Sequence, residues 1–165
     1  MIAVARGVDA SLELRARLAD LYGAYDDALG EGDYERWPEF FTETCRYQII
    51  PRESYDLRHP IGLMQAESRG MLVDRVAAIR KTTLYAPRIV QRLVSGIVLR
   101  AVEPDGMRLS ASFAAFQTML NEPSQVFLCG RFYDRVVQDG GVLRFAERIC
   151  VTDPTLVPTS LVFPI

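Results

Sequence analysis

The fold is decided by residues 88–151, which read RIVQRLVSGIVLRAVEPDGMRLSASFAAFQTMLNEPSQVFLCGRFYDRVVQDGGVLRFAERICV. Three turn-forming clusters interrupt this stretch: EPDG at 103–106, NEPS at 121–124 and DGG at 139–141. The residues between them are rich in β-branched and aromatic side chains. The pattern predicts four strands, Arg88–Val102, Met107–Leu120, Gln125–Val137 and Val142–Val151. Because short turns join them, we expect an antiparallel meander.

The four predicted strands are long. Each has about 10–15 residues, whereas strands of globular proteins most often have about 5–6. Long strands bend and often contain bulges when their sheet packs on one face only. We therefore expect a strongly curved sheet with one concave face.

Helical spacing precedes the strands in two long segments. Between Ser11 and Leu29 apolar side chains recur at three- and four-residue steps, and Ser11 is the expected N-cap. Between Ser68 and Tyr85 the same spacing predicts a second amphipathic helix. Its inward stripe is predicted to contain Met71, Leu72, Val76, Ile79 and Thr83. Its charged side chains are predicted to point outward: Arg69, Asp74, Arg75, Arg80 and Lys81.

A shorter helix is predicted after Asp33, followed by a strand at Cys45–Ile50. The helix would carry Tyr34, Trp37, Phe40 and Phe41 as an aromatic stripe. Helices first and a meander after them indicate an α+β fold. We expect about three helices to pack against the concave face of the antiparallel sheet.

Length and composition favour one globular domain. The chain has 165 residues, of which 49% are hydrophobic and 24% charged. Within the single domain 1–165, residues 1–10 are predicted to form a flexible arm. Residues 154–165 are apolar and proline-rich, so they are predicted to form an extended tail that the domain or a neighbouring subunit must cover.

The net charge and the absence of targeting signals indicate which partners and which compartment to expect. With 19 basic and 21 acidic residues the net charge is −2, so nothing favours binding of nucleic acid or an anionic membrane. The sequence shows neither a signal peptide nor a run of about 18 apolar residues. We expect a cytoplasmic protein in which Cys45, Cys129 and Cys150 remain reduced.

The single histidine restricts the chemistry. A Rieske cluster needs two cysteines and two histidines, and a mononuclear oxygenase iron needs two histidines and a carboxylate. His59 alone can supply neither set. The sequence also lacks a GxSxG nucleophile motif and the glycine-rich loops that bind nucleotides.

Two carboxylates stand out on the last predicted hairpin. A turn at Gly140 and Gly141 with strict alternation places Asp134 opposite Glu147 on the apolar face. Two carboxylates in an apolar cavity would form a general acid and base, because one pKa would be raised. The alternative is that either or both form a structural ion pair with an arginine, and a shift in register would also separate the two carboxylates. The candidate arginines are Arg46, Arg52 and Arg92.

The same alternation predicts a basic patch on the opposite face of the hairpin. It would contain Arg131, Tyr133, Arg135, Arg144 and Arg148. Such a patch requires acidic neighbours, either within the chain or across a subunit interface.

Several sequence segments resemble one family. GEGDYERWPEFFTETCRY at 30–47 resembles the helix-to-strand region of the SnoaL-like, or nuclear-transport-factor-like, cone fold. The further segments IPRESYD (50–56), SRGMLVDR (68–75), GRFYDR (130–135), LRFAER (143–148) and PTSLVFPI (158–165) are similar to the small (beta) subunit of aromatic-ring-hydroxylating dioxygenases. Within that family the chain looks closest to the branch that acts on benzoate-, anthranilate- or terephthalate-type substrates.

The resemblance implies a non-catalytic partner in an oxidoreductase. In this family the large (alpha) subunit carries the Rieske [2Fe–2S] cluster and the mononuclear iron, and this chain would carry no cofactor. Three large and three small subunits form a hexamer, in which the small subunits associate as a trimer. The role implied for this chain is to hold the large subunits together for dihydroxylation of aromatic compounds.

The expected contact residues with other subunits come from three segments. They are Arg52, Tyr55, Asp56 and His59 in the first, Arg69, Asp74 and Arg75 in the second, and Arg131, Arg135, Arg144 and Arg148 in the third. The apolar tail is a further expected contact. If Arg148 lies in such an interface, Arg148→Glu should weaken assembly and leave the folded monomer intact.

A competing class is an enzyme of the same fold. Isomerases and dehydratases with this fold use the cone as a catalytic pocket. The isomerase resemblance places the general base at Ile49, which cannot take a proton. A stand-alone dehydratase built on Tyr25, His59, Asp134 and Glu147 stays open at this point.

Overall fold

The computed structural model of the chain describes residues 11–59, 61–82, 85–156 and 161–165. Its helices are α1 (Leu12–Gly30), a 3-10 helix (Trp37–Phe40), α2 (Arg52–Asp56) and α3 (Arg69–Lys81). Its strands are β1 (Phe41–Pro51), β2 (Met64–Ala66), β3 (Arg88–Glu103), β4 (Gly106–Met119), β5 (Gln125–Asp139) and β6 (Val142–Thr152). The predicted α+β class is confirmed.

In the described part of the chain the strands form one six-stranded sheet in the order β2-β1-β6-β5-β4-β3. The meander β3 to β6 is antiparallel throughout and each strand ends within two residues of the predicted bounds. Strand β1 pairs with β6 in parallel. Alternation within one strand could not predict that pairing, because it joins segments about a hundred residues apart.

The two long helices begin where their caps predict. The Ser11 hydroxyl accepts a hydrogen bond from the Leu14 amide at 3.2 Å, and the Ser68 hydroxyl accepts one from the Met71 amide at 3.3 Å. Helix α3 ends at Lys81 rather than Tyr85. Its buried stripe contains Leu72, Val76 and Ile79, as predicted, whereas Met71 is exposed. Thr83 lies outside the described residues.

The predicted helix after Asp33 is only a 3-10 turn at Trp37–Phe40. Pro38 occupies its first turn, and Phe41 already begins β1. Trp37 and Phe41 are fully buried, so the aromatic stripe belongs to the core as expected.

The sheet curves where its register shifts. Strands β3 and β4 slip twice, between Ser95 and Val98 and between Leu99 and Ala101, and Gly96 there has a φ of +62°. Helix α1 packs on β3 and β6, and α3 packs on β1. The core therefore lies between the helices and the concave face.

One further shift changes the last hairpin. The turn at Gly140 and Gly141 is as predicted, but Arg135 pairs with Glu147 while Val136 pairs with Phe145. Ala146 is the extra residue of this bulge. From residue 147 onward, β6 therefore presents the opposite set of side chains to the interior from the one that strict alternation predicts.

Within the described residues, no helix combines the length and apolarity needed to cross a bilayer. Cys45, Cys129 and Cys150 are all free thiols. Burial raises the pKa of the Cys45 thiol to about 11 and that of Cys150 to about 12.

Candidate functional site: the filled interior and the outer pocket

An ion pair lies at the centre of the concave interior. Arg148 donates from Nε to Asp134 Oδ1 at 3.0 Å and from Nη2 to Asp134 Oδ2 at 2.9 Å. Both side chains are fully buried, and Tyr22 donates a short hydrogen bond to the same carboxylate. The two residues face each other because the Ala146 bulge brings Arg148, not Glu147, opposite Asp134.

Aromatic rings enclose the Arg148 guanidinium. Its central carbon lies 4.9 Å from the ring centroid of Tyr22, 4.2 Å from that of Tyr25, 4.4 Å from that of Phe132 and 3.8 Å from that of Phe145. Burial lowers the pKa of Arg148, but the charge and hydrogen bonds of Asp134 together with the neighbouring Tyr25 and Tyr22 outweigh this effect, and the net pKa is raised. Burial, followed by the charge of Asp134, raises the pKa of Tyr22. The pair is therefore a closed structural unit.

The rest of the interior is occupied by residues 161–165 of the same chain. Val162, Phe163 and Ile165 are buried. The Phe163 ring stacks on Tyr34 with centroids 5.2 Å apart and meets Tyr85 edge to face at 5.0 Å. The interior of the cone thus holds a segment of its own chain beside the Arg148–Asp134 pair.

The acidic pocket that an isomerase or dehydratase would need is not assembled. Asp134 lies inside the cone, whereas Glu147 and His59 line a pocket on the outer face of the sheet. The prediction that Asp134 and Glu147 share a face is wrong, because one bulge residue separates them. The structural ion pair is confirmed for Asp134, although its partner is Arg148 rather than Arg46, Arg52 or Arg92.

The outer pocket, as we name it, lies between α2 and the convex side of β1, β6 and β5. Its volume is about 650 Å³. It is lined by Arg46, Gln48, Ile50, Tyr55, Asp56, Arg58, His59, Tyr133, Glu147 and Ile149. Its floor belongs to a small second cluster of buried residues on this face, Ile50, Ile149 and Val151.

Aromatic and charged groups form the walls of the outer pocket. Tyr55 of α2 stacks on Tyr133 of β5 with centroids 5.3 Å apart and planes 3° from parallel. Glu147 pairs in register with Arg46 on one side and Arg135 on the other. The pocket thus offers two rings and charges of both signs to solvent, a composition suited to contact with another surface.

Seven of the residues expected in subunit contacts lie on or beside the outer face of the sheet. Tyr55, Asp56 and His59 line the outer pocket, and Arg52 lies on its helix, where Nε donates to Asp153 Oδ1 at 2.6 Å. Arg131 is exposed on β5. Arg135 and Arg144 are half-buried and donate at 3.1 Å to the carbonyl oxygens of Asp105 and Glu39.

Arg148 is the exception in the predicted basic patch. Its placement on the outer face is wrong, since it is fully buried and bound to Asp134. It therefore cannot contact another subunit, and Arg148→Glu would place two carboxylates together in the core instead of testing an interface.

Helix α3 uses its arginines differently from the prediction. Arg69 and Arg75, expected to point outward, are half-buried and bind backbone oxygens of the same chain. Arg69 donates to Phe41, and Arg75 donates to Leu161 and Val162 at 2.9 Å each. Asp74 is exposed.

Sequence reasoning missed Arg46, Gln48, Arg58 and Ile149 in the outer pocket and Tyr47 and Arg75 in the binding of residues 161–165. A signal existed for β1, where Gln48 and Ile50 alternate with the interior residues Tyr47 and Ile49. No comparable signal existed for the tail contacts, because they join distant segments.

The donor set of this chain does not fit the iron centres of ring-hydroxylating oxygenases. Among the residues that the structure describes, no three His, Cys, Asp or Glu side chains gather as a metal site. The whole sequence holds one histidine, whereas a Rieske cluster and a two-histidine iron site need two each.

Comparison with known proteins identifies the family. The family model described as ring hydroxylating beta subunit matches residues 27–158. The small subunit of anthranilate 1,2-dioxygenase from Burkholderia cepacia is 33% identical over 145 residues, covering 88% of this chain and 90% of that protein. A terephthalate 1,2-dioxygenase terminal oxygenase beta subunit from a Comamonas species is 27% identical over 90% of this chain and 97% of its own length.

A solved structure agrees with these sequence matches. It is a beta subunit assigned to an aromatic-ring-hydroxylating dioxygenase of Novosphingobium aromaticivorans. It superimposes with a TM-score of 0.84 at 33% identity, covering 93% of this chain and 97% of the other. Sequence and fold therefore agree over almost the whole chain, which belongs to the beta-subunit family of the ring-hydroxylating dioxygenases.

Proposed function

We propose that this chain is a non-catalytic assembly subunit, which holds alpha subunits together in a hexamer and associates with itself as a trimer. The alpha subunits would carry the Rieske [2Fe–2S] cluster and the mononuclear iron. One observation carries the proposal: residues 161–165 and the Arg148–Asp134 pair occupy the space in which a cone-fold enzyme would bind its substrate.

The charge state of the interior supports the same role. A general base must be able to accept a proton from a substrate, but the Asp134 carboxylate is bound by two guanidinium N–H groups and by Tyr22. Burial raises the pKa of Tyr25 to about 12, so its hydroxyl is a poor proton donor near neutral pH. These groups stabilise the fold of the subunit.

The outer pocket supports a contact role. Tyr55 is exposed over about a third of its surface (37%) beside half-buried Tyr133, and Arg131 is exposed on the same face. Tyrosine and arginine are enriched at the centres of protein interfaces. We therefore place contacts with neighbouring subunits on this face, at Arg52, Tyr55, Asp56, His59, Arg131, Arg135 and Arg144.

The substrate of the assembled enzyme would be an aromatic acid. Anthranilate and terephthalate, named for two relatives, are both aromatic carboxylates. The chemistry itself would take place on the alpha subunit. We place the complex in the cytoplasm, which the three free thiols support.

The contact role is tested by co-expressing this chain with its alpha subunit. We expect Tyr55→Ala combined with Arg131→Glu to reduce the fraction of assembled complex measured by size-exclusion chromatography, because both side chains would leave the contact. Leu120→Ala, at an exposed position (78%) outside the expected contact segments, is the control. Full assembly of the double variant would remove the outer pocket from the proposed interface.

A further inference from the structure

Residues 161–165, which read LVFPI, are held in the interior as a ligand is held in a pocket. Four side chains from four different elements bind their backbone. The Tyr25 hydroxyl donates to the Ile165 carbonyl at 2.8 Å, and the Tyr47 hydroxyl accepts from the Ile165 amide at 2.8 Å. Arg75 donates to the Leu161 and Val162 carbonyls, and Arg92 donates to the Pro164 carbonyl at 3.1 Å.

The pocket supplies mainly donors, and the segment supplies mainly acceptors. Arg92 is only 4% exposed, yet its Nε and Nη1 have no hydrogen-bond partner, and neither does the buried Nε of Arg75. Pro164 has no N–H, so this part of the segment presents only a carbonyl. The surplus of donors suits a backbone outside helices and strands, whose carbonyl oxygens are free to accept hydrogen bonds.

The apolar part of the pocket selects a side chain. Phe163 lies against Tyr34 and Tyr85, in stacked and edge-to-face contacts. Aromatic pairs of this geometry add to the free energy of burial. Backbone carbonyls thus give affinity and the Phe163 ring gives specificity, as in other sites that bind extended peptides.

We propose that the interior of this cone is a binding site for an apolar, proline-containing peptide, which residues 161–165 fill in cis and which the same sequence can fill in trans. Tyr25, Tyr47, Arg75 and Arg92 recognise its backbone. This site lies inside the subunit and is separate from the outer pocket, so its test does not depend on the proposed assembly role.

The test uses the chain that ends at residue 160 and a synthetic peptide Leu-Val-Phe-Pro-Ile. Trp37, the single tryptophan, is fully buried and donates to Tyr25 at 3.1 Å, so its fluorescence reports on the pocket. We expect saturable binding that shifts the Trp37 emission toward that of the intact chain. Arg92→Ala should weaken this binding about tenfold.

Two controls make the result specific. Arg100 lies on the same strand as Arg92, β3, and donates to the Ser110 hydroxyl at 2.8 Å. Arg100→Ala should therefore leave the affinity for the peptide unchanged. The peptide of reversed sequence should not bind. A folded chain 1–160 that gives no saturable signal, or that binds both peptides equally, overturns the proposal.

A second format is used if the shortened chain does not fold. The recognition sequence of a site-specific protease is inserted between residues 156 and 161 of the intact chain and is cut after folding. A labelled Leu-Val-Phe-Pro-Ile peptide added in excess should then replace the cut segment, as measured by fluorescence anisotropy. Failure of the cut protein to take up the labelled peptide also overturns the proposal.

Discussion

The two faces of the hairpin β5–β6 show opposite uses of charge. Inside the cone, Asp134 and Arg148 are fully buried and are bound to each other, to the Tyr22 hydroxyl and to aromatic rings. On the outside, Glu147 lies between Arg46 and Arg135 at the rim of the outer pocket. The two faces differ by one inserted residue, Ala146. A single bulge thus decides which charges stabilise the fold and which stay available for contacts.

Removing one arginine from each face should give the largest difference in the free energy of unfolding. Arg148→Met leaves the buried Asp134 carboxylate without its partner, and we expect a loss of about 3–5 kcal/mol in the free energy of unfolding. Arg131→Met on the exposed outer face should change it by less than about 0.5 kcal/mol. Urea denaturation measures both. Equal effects would contradict the division between the two faces.

A double substitution sharpens this result. Arg148→Met together with Asp134→Leu removes both charges, so most of the lost stability should return. If the double variant is as unstable as Arg148→Met alone, packing rather than the unpaired carboxylate causes the loss.

The next effect in size concerns residues 161–165. Phe163→Ala removes a ring that is only 8% exposed and should cost about 3 kcal/mol. Leu156→Ala, at a position 83% exposed, should cost less than about 0.5 kcal/mol. Thermal and urea unfolding check the pair. A neutral Phe163→Ala would mean that the segment does not fill the interior in solution.

A pH titration separates interior tyrosines from the rest. Burial raises the pKa of Tyr25 to about 12, and it raises the pKa values of Tyr22 and Tyr47 as well. Because the pKa of Tyr25 is higher in the folded state than its ordinary value near 10, its contribution to stability is complete below pH 10. That contribution is lost as the pH rises toward 12.

Phenolate absorbance and circular dichroism, recorded together, test this titration. We expect the last tyrosines to ionise only as the helix signal is lost. Ionisation of all tyrosines in a single step near pH 10, with the fold intact, would contradict a sealed interior.

The smallest effect is expected from an exposed ion pair. Arg80 donates to Glu35 at 2.8 and 2.7 Å, and these hydrogen bonds lower the pKa of Glu35 to about 2. The stability from this pair is present above about pH 4.5 and is lost as the pH falls toward 2. Since both side chains are about half exposed, the amount should be about 0.5 kcal/mol.

Salt distinguishes this pair from the interior pair. Glu35→Gln should lower stability slightly at neutral pH in low salt and have no effect in high salt, because salt screens exposed charges. The cost of Arg148→Met should be the same in both. A strong salt dependence at Arg148 would indicate that water reaches the interior pair.

Much of the fold could be predicted because its determinants are local. Turn residues such as Gly140 and Gly141 define the hairpins, and Ser11 and Ser68 mark the helix starts. The side chains around the interior pair could not be placed in this way. Nothing in the sequence near Ala146 distinguishes a bulged strand from a regular one, so Arg148 and Glu147 were assigned to each other's faces.

Contacts between residues that are far apart in the sequence also could not be predicted. Helical spacing predicts that Arg75 faces solvent, because it describes only the residues of one helix. The carbonyl oxygens that accept its hydrogen bonds lie in residues 161–165. For the same reason the outer pocket appeared only in part, as α2 and residue 133 come from separate segments. The function was predicted from the resemblance of several sequence segments to one family, since no catalytic or cofactor-binding motif in the sequence indicates it.

The assembly role is tested most directly by native mass spectrometry of this chain co-expressed with its alpha subunit, with iron counted on each separated chain. We expect a complex of three copies of each subunit, with all of the iron on the larger one. Iron bound to this chain, or alpha subunits that assemble into a trimer just as completely in its absence, would contradict the assembly role.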